Sequence, residues 1–240
     1  MLPLRDENPT LLTPVVTVGL IAANVAVWVL VQGAGSMQAL QASVGTFGTY
    51  PCEITHACRA AGLGWASLLT SMFMHGGWEH IIGNMVFLWV FGNNIEDVMG
   101  HARFLAFYLV CGLAAGAAHV ALSPGSQVPA VGASGAISGV MGAYILLYPH
   151  ARVRTWVPPI FVWTLRAWVL LGYWFFLQLA SGIVSLGPTV GEEGGVAVWA
   201  HVGGFLAGLA LVKVFENPVL TARRRRVLGL VPGEVARVEW

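Results

Sequence analysis

The chain has 240 residues, 57% of them hydrophobic and only 10% charged, with a net charge of +1 and a mean hydropathy of +0.73. Soluble domains carry about a quarter charged residues, so this composition excludes an ordinary soluble enzyme and describes a polytopic membrane protein. The net charge itself says nothing about nucleic acid, so the placement of the charges is what can be read, and no nucleic-acid partner is expected.

Residues 1–13 read as a short polar tail carrying Arg5, Asp6 and Glu7. The first apolar span covers about 14–31, with Asn24 as its one strongly polar residue. It is long enough to stay in the bilayer and has no small-residue cleavage site behind it. A long loop, about 32–77, is too apolar for a flexible linker, and Trp65 suits the membrane interface. Further spans follow at about 78–95, 104–122, 133–148, 167–186 and 196–214. A tight loop with Glu96, Asp97, His101 and Arg103 separates the second from the third. The fifth is crowded with Trp168, Tyr173, Trp174, Phe175 and Phe176, and a Gly/Pro loop with Glu192 and Glu193 follows it. Residues 216–240 read as a basic tail with Arg223 through Arg226. The expected domain plan is therefore a 14–215 membrane domain between two short tails.

Six spans leave both termini on one side. Arg5, Arg103, Arg152, Arg154, Arg166, Lys213, Arg223 to Arg226 and Arg237 fall on that side, and only Arg59 on the other. By the positive-inside rule both termini are cytoplasmic. The fold class is then all-α, a six-transmembrane-helix bundle.

Topology becomes an argument about depth. At 1.5 Å per residue, Ser134, His80, Asn84 and His201 all fall in the outer half of the bilayer, on the fourth, second and sixth spans. His150 falls at the opposite face, and His119 lies at a permissible depth. Ser134 opens a helix after a kinked polar loop, where free backbone N–H groups and the helix dipole favour negative charge. Gly-Ala-Ser-Gly is also ordinary helix-packing sequence, and His80 with Asn84 is also what a polar tie between helices looks like. Ionisable groups inside a membrane, however, default to function. His201 can take a serine proton. His80 and Asn84 stand on one helix face at i, i+4 and can donate to an oxyanion. Gly204 and Gly208 form a GxxxG pair beside His201, which lets two helices touch. Glu96 and His75 read as structural.

Other chemistries fail on their patterns. Glu79-His80 lacks the HExxH zinc spacing. Asp6 and Asp97 are the chain's only aspartates, and neither is mid-membrane. The serine is not in GxSxG, and no acid is placed to orient His201, so the reading is a dyad. Cys52 and Cys58 could close a disulfide in an oxidising compartment; Cys52, His56 and Cys58 could also suggest a metal.

Together the motifs resemble those of the rhomboid intramembrane serine proteases over about 65–214. They are His75, His80-x₃-Asn84, Gly92-x₃-Glu96-x₃-Gly100 with Phe104 and Tyr108, Gly132-Ala133-Ser134-Gly135, and Ala200-His201-x₂-Gly204-x₃-Gly208. The resemblance implies a six-helix fold with an outward cavity, Ser134 as nucleophile, His201 as general base, and His80, Asn84 and backbone amides holding the oxyanion. It implies single-pass membrane proteins as substrates, cut near the outer end of their helix, with no cofactor or metal. The fifth span and the loop after it would be gate and cap. Two positions depart from the family pattern. Ala66 follows Trp65 where an arginine is usual, and Ser138 stands where an aromatic usually packs on the histidine. Something else, an aromatic from the fifth span, would then position His201. A rhomboid-like protein that escorts membrane clients without cleaving them is the alternative; a transporter would need charged residues mid-membrane. Tails this short, with no targeting peptide, point to a bacterial inner membrane, the site opening outward.

Overall fold

The computed structural model describes residues 1–59, 62–185 and 197–229. Ten helices occur among them in chain order: α1 (Val15–Leu30), α2 (Met37–Phe47), α3 (Pro51–Ile54), α4 (Ser67–Thr70), α5 (Trp78–Met99), α6 (His101–Leu122), α7 (Ser134–Leu147), α8 (Ala167–Ser185), α9 (Val198–Phe215) and α10 (Pro218–Leu228). Three strands, β1 (Leu2–Asp6), β2 (Arg152–Val157) and β3 (Phe161–Arg166), form one antiparallel sheet in the order β1-β2-β3. The expected loop carrying Glu192 and Glu193, and the expected Arg237, lie outside the described residues.

Helices α6, α8 and α9 are long and apolar enough to cross a membrane; α1 and α7 are shorter apolar helices. Helix α5 spans 22 residues but carries Glu79 in its first turn and Glu96 and Asp97 near its end. Lipid offers no hydrophobic drive for helix association, so close packing must hold the bundle. It does so most tightly between α7 and α9. A Cβ on Gly204 would run into the Gly135 carbonyl oxygen, and one on Gly208 into that of Gly139. Around this contact Phe91, Phe104, Phe107, Tyr108 and Tyr144 are fully buried.

Three sequence expectations change here. Residues 1–13 are not a loose tail. Asp6 Oδ2 accepts from Tyr144 Oη (2.6 Å) and Asn94 Nδ2 (2.8 Å), and β1 pairs with β2. The strand pairing was hidden because its partner lies about 150 residues away, although Arg-Val-Arg-Thr-Trp-Val in β2 has the period-two pattern of a strand. Second, Glu96 and Asp97 lie in the last turn of α5 and not in a loop; Gly100 alone joins α5 to α6. Glu96, fully buried, accepts from Val16 N (2.9 Å), Thr17 N (2.8 Å) and Thr17 Oγ1 (2.7 Å), and meets His101 Nδ1 at 2.6 Å. It caps α1, which has no side-chain cap of its own. Third, residues 218–228 of the expected basic tail form α10, opened by an Asn217 cap and closed by Gly229. Its Arg224 is buried because Asp97 needs a cation there. Arg224 Nε donates to Asp97 Oδ2 (2.9 Å), and Nη2 to Asn8 Oδ1 (2.7 Å) and Pro9 O (2.6 Å). Asp97 Oδ1 accepts from Leu11 N and Leu12 N.

At the other end of the bundle, the 32–77 segment is folded. Gln32 clasps the backbone of His75 with two 2.8 Å hydrogen bonds. Thr49 and Ala130 exchange backbone hydrogen bonds, and Gly132 N donates to Ser71 O (2.9 Å). These ties fix the strand-like approach to Ser134. Cys52 and Cys58 are joined as a disulfide, which uses both sulfurs that a metal site would have needed. Trp65 is exposed.

Candidate active site

Ser134 is the first residue of α7, at the end of the bundle away from the sheet. Ala133 stands at the N-cap and supplies no side-chain cap, so the first-turn amides of α7 face outward without one. His201 lies in the first turn of α9, and the α7–α9 glycine contact brings the two together. His201 Nε2 is 2.7 Å from Ser134 Oγ.

The proton positions follow from the partners. His201 Nδ1 lies 2.8 Å from Gln178 Oε1. A carboxamide oxygen only accepts, so Nδ1 carries the hydrogen, and Nε2 offers its lone pair to the serine hydroxyl. This is the tautomer a general base requires. The Trp174 ring lies 5.7 Å from the imidazole, centroid to centroid. Trp174 belongs to α8, while Ser138 turns away and donates to Ser134 O at 2.6 Å.

The opposite wall comes from α5. Gly76 N donates to His80 Nδ1 at 3.2 Å, which leaves the hydrogen of a neutral His80 on Nε2. Asn84 Nδ2 is buried and has no hydrogen-bond partner among the described residues. Both converge on Gly132: a Cβ there would lie 2.7 Å from His80 Nε2 and 3.5 Å from Asn84 Nδ2. Gly132 also has φ +124°, which side-chain-bearing residues rarely adopt. A cavity of about 740 Å³ is lined by Trp78, His80, Asn84, Ser134, Trp174 and His201, among others.

The remaining candidates sit around this core. His75 is buried with its ring 5.2 Å from that of His80. His119 lines a cavity of about 40 Å³ on another side of Ser134. Glu96 caps α1 at the far end of α5, Gly204 and Gly208 are the helix contact, and His150 is exposed near the sheet. Sequence reasoning missed Gln178. Its signal was thin: it is the one carboxamide in α8, which also carries the ionisable Tyr173.

A rhomboid domain family model matches residues 63–217. The chain is 28% identical over 165 residues to Rhomboid protein 1, mitochondrial, of Saccharomyces cerevisiae, covering 67% of this chain and 45% of that protein. It is 34% identical over 167 residues to rhomboid protease GluP of Bacillus subtilis, covering 70% and 29%. To RHOMBOID-like protein 5 of Arabidopsis thaliana it is 30% identical over 144 residues, covering 60% and 42%. The chain thus spans less than half the length of these curated relatives.

Proposed function

The chain belongs to the rhomboid family, and we propose that it is an intramembrane serine endopeptidase acting on single-pass membrane proteins. The observation that carries this reading is the 2.7 Å Ser134–His201 hydrogen bond with the base in the accepting tautomer. His201 Nε2 takes the hydroxyl proton as Ser134 Oγ attacks a substrate carbonyl. The oxyanion forms against His80 Nε2–H, the Asn84 amide and the Ser134 backbone N–H. His201 then protonates the leaving amine, and a water activated the same way releases the acyl-enzyme. No cofactor or metal enters the scheme.

The topology belongs to the same reading. Helices α1, α5, α6, α7, α8 and α9 are the six spans, with the sheet, α10 and both ends of the described chain on the cytoplasmic side. The arginine bias supports that orientation. The active site then opens to the outer side, where a substrate helix frays and exposes its carbonyls. A bacterial inner membrane suits the GluP likeness, and the yeast relative's name places that protein in mitochondria.

Co-expression of a tagged single-pass test substrate with wild type, Ser134→Ala and His201→Ala tests the proposal. Loss of the product band in both variants at normal protein levels is expected. Cleavage persisting in Ser134→Ala rejects the nucleophile, and an inert wild type shifts the reading to client escort.

A further inference from the structure

A neutral imidazole exchanges between two tautomers, and the one protonated on Nε2 cannot accept the serine proton. The useful tautomer is the one in which His201 Nδ1 donates to Gln178 Oε1, 2.8 Å away. Gln178 does not sit on either helix of the dyad. It sits on α8, the least buried of the three long apolar helices.

Helix α8 is tied by hydrogen bonds at its start and by side-chain packing beyond it, with the Trp199 ring of α9 against Gly182 near its end. Its start is pinned by Ala167 N to Ala151 O (2.8 Å) and Trp168 N to Pro149 O (3.0 Å), at the sheet end. Its middle leans on α9 through aromatic contacts. Phe175 stacks on Phe205 at 4.5 Å, and Trp174 lies 6.3 Å from the same ring. The same Trp174 also lines the cavity that Trp78 and Phe87 of α5 line. Gln178 lies eleven residues beyond Ala167, about 16 Å along the axis, so a tilt of about 5° moves it by about 1.4 Å. That displacement takes a 2.8 Å contact out of hydrogen-bonding range.

We propose that Gln178 is a positioning residue that sets the His201 tautomer, so the base is competent only while α8 is seated against α9. The proposal rests on the protease reading.

The test uses the full chain in proteoliposomes, with a fluorophosphonate probe for Ser134 and a transmembrane substrate for kcat and KM. Gln178→Leu is expected to lower kcat and labelling rate roughly 10- to 30-fold, as loss of one buried hydrogen bond does, with KM unchanged. Gln178→Glu restores an acceptor, so it recovers labelling and moves the acid limb of the pH profile upward. A merely structural glutamine would not produce that rescue. Phe175→Ala loosens α8 without touching His201: it slows labelling in the wild-type background and adds nothing to Gln178→Leu. Wild-type labelling by Gln178→Leu, no rescue by Gln178→Glu, or losses that multiply in the double variant each overturn the proposal. An unlabelled, inactive wild type instead overturns the protease reading, and this proposal with it.

Discussion

Replacing Gly204 with alanine tests whether the α7–α9 contact sets the distance on which the chemistry depends. The added methyl would occupy the place of the Gly135 carbonyl oxygen, a backbone atom that cannot swing aside. Restoring ordinary contact requires the two helices to part by about 1 Å. Gly135 is the neighbour of Ser134, and Gly204 lies one turn from His201, so the displacement falls directly on the 2.7 Å bond. Stretched to roughly 3.7 Å, that bond is lost. A misplacement of this size costs about 100-fold in rate, or about 2.7 kcal/mol of barrier. Overpacking costs the fold about 1–3 kcal/mol besides. Fluorophosphonate labelling and thermal unfolding in detergent read the two effects separately. Gly208→Ala, which meets Gly139 one turn further from the site, should cost similar stability and less rate. Gly204→Ala labelled as fast as wild type would refute the reasoning, because the helices would then part without moving the dyad.

Gly132→Ala should cost about 100-fold or more in kcat/KM, because its methyl displaces the His80 donor; an active Gly132→Ala enzyme removes His80 and Asn84 from the oxyanion role. Arg224→Met leaves Asp97 buried without its cation and should destabilise the fold by about 3–5 kcal/mol, while labelling of the protein that remains folded is unchanged. Equal melting curves for Arg224→Met and wild type would show that α10 is not held by this pair. Burial pushes the Asp6 carboxyl up from 3.8 to about 7, against the lowering effect of the Tyr144 hydrogen bond. A raised carboxyl stabilises the fold fully below its unfolded pKa, and that stability is lost as pH rises through about 7. Melting temperature should therefore fall between about pH 4 and pH 7, and Asp6→Asn should flatten that dependence; an unchanged slope assigns it to another group.

The site was legible because membrane depth restricts which polar residues can meet. Ser134, His201, His80 and Asn84 are rare polar groups in apolar helices, and helical rise alone brings them level. Helix limits were legible for the same reason, with α6 ending at Leu122 where the sequence suggests about 122. The sheet was not, since β1 is five residues long and its pairing is wholly non-local. Helix α10 read as a charged tail because one of its four consecutive arginines is buried and the others are not. Only the position of Asp97 decides which. Gln178 was overlooked because a single amide among aromatics carries no period and no motif. Its role exists only once α8 is laid beside α9.

The capping of α1 by Glu96 has a consequence for biogenesis. Helix α1 emerges from the ribosome before α5, so its first-turn amides find their acceptor some 80 residues later. Leu11 and Leu12 wait equally for Asp97, and Asp97 waits for Arg224 on the last described helix. Each insertion step leaves a debt of unpaired polar groups that a later segment settles. The Asp97 junction between the start of the chain and α5 is therefore complete only once α10 has been made.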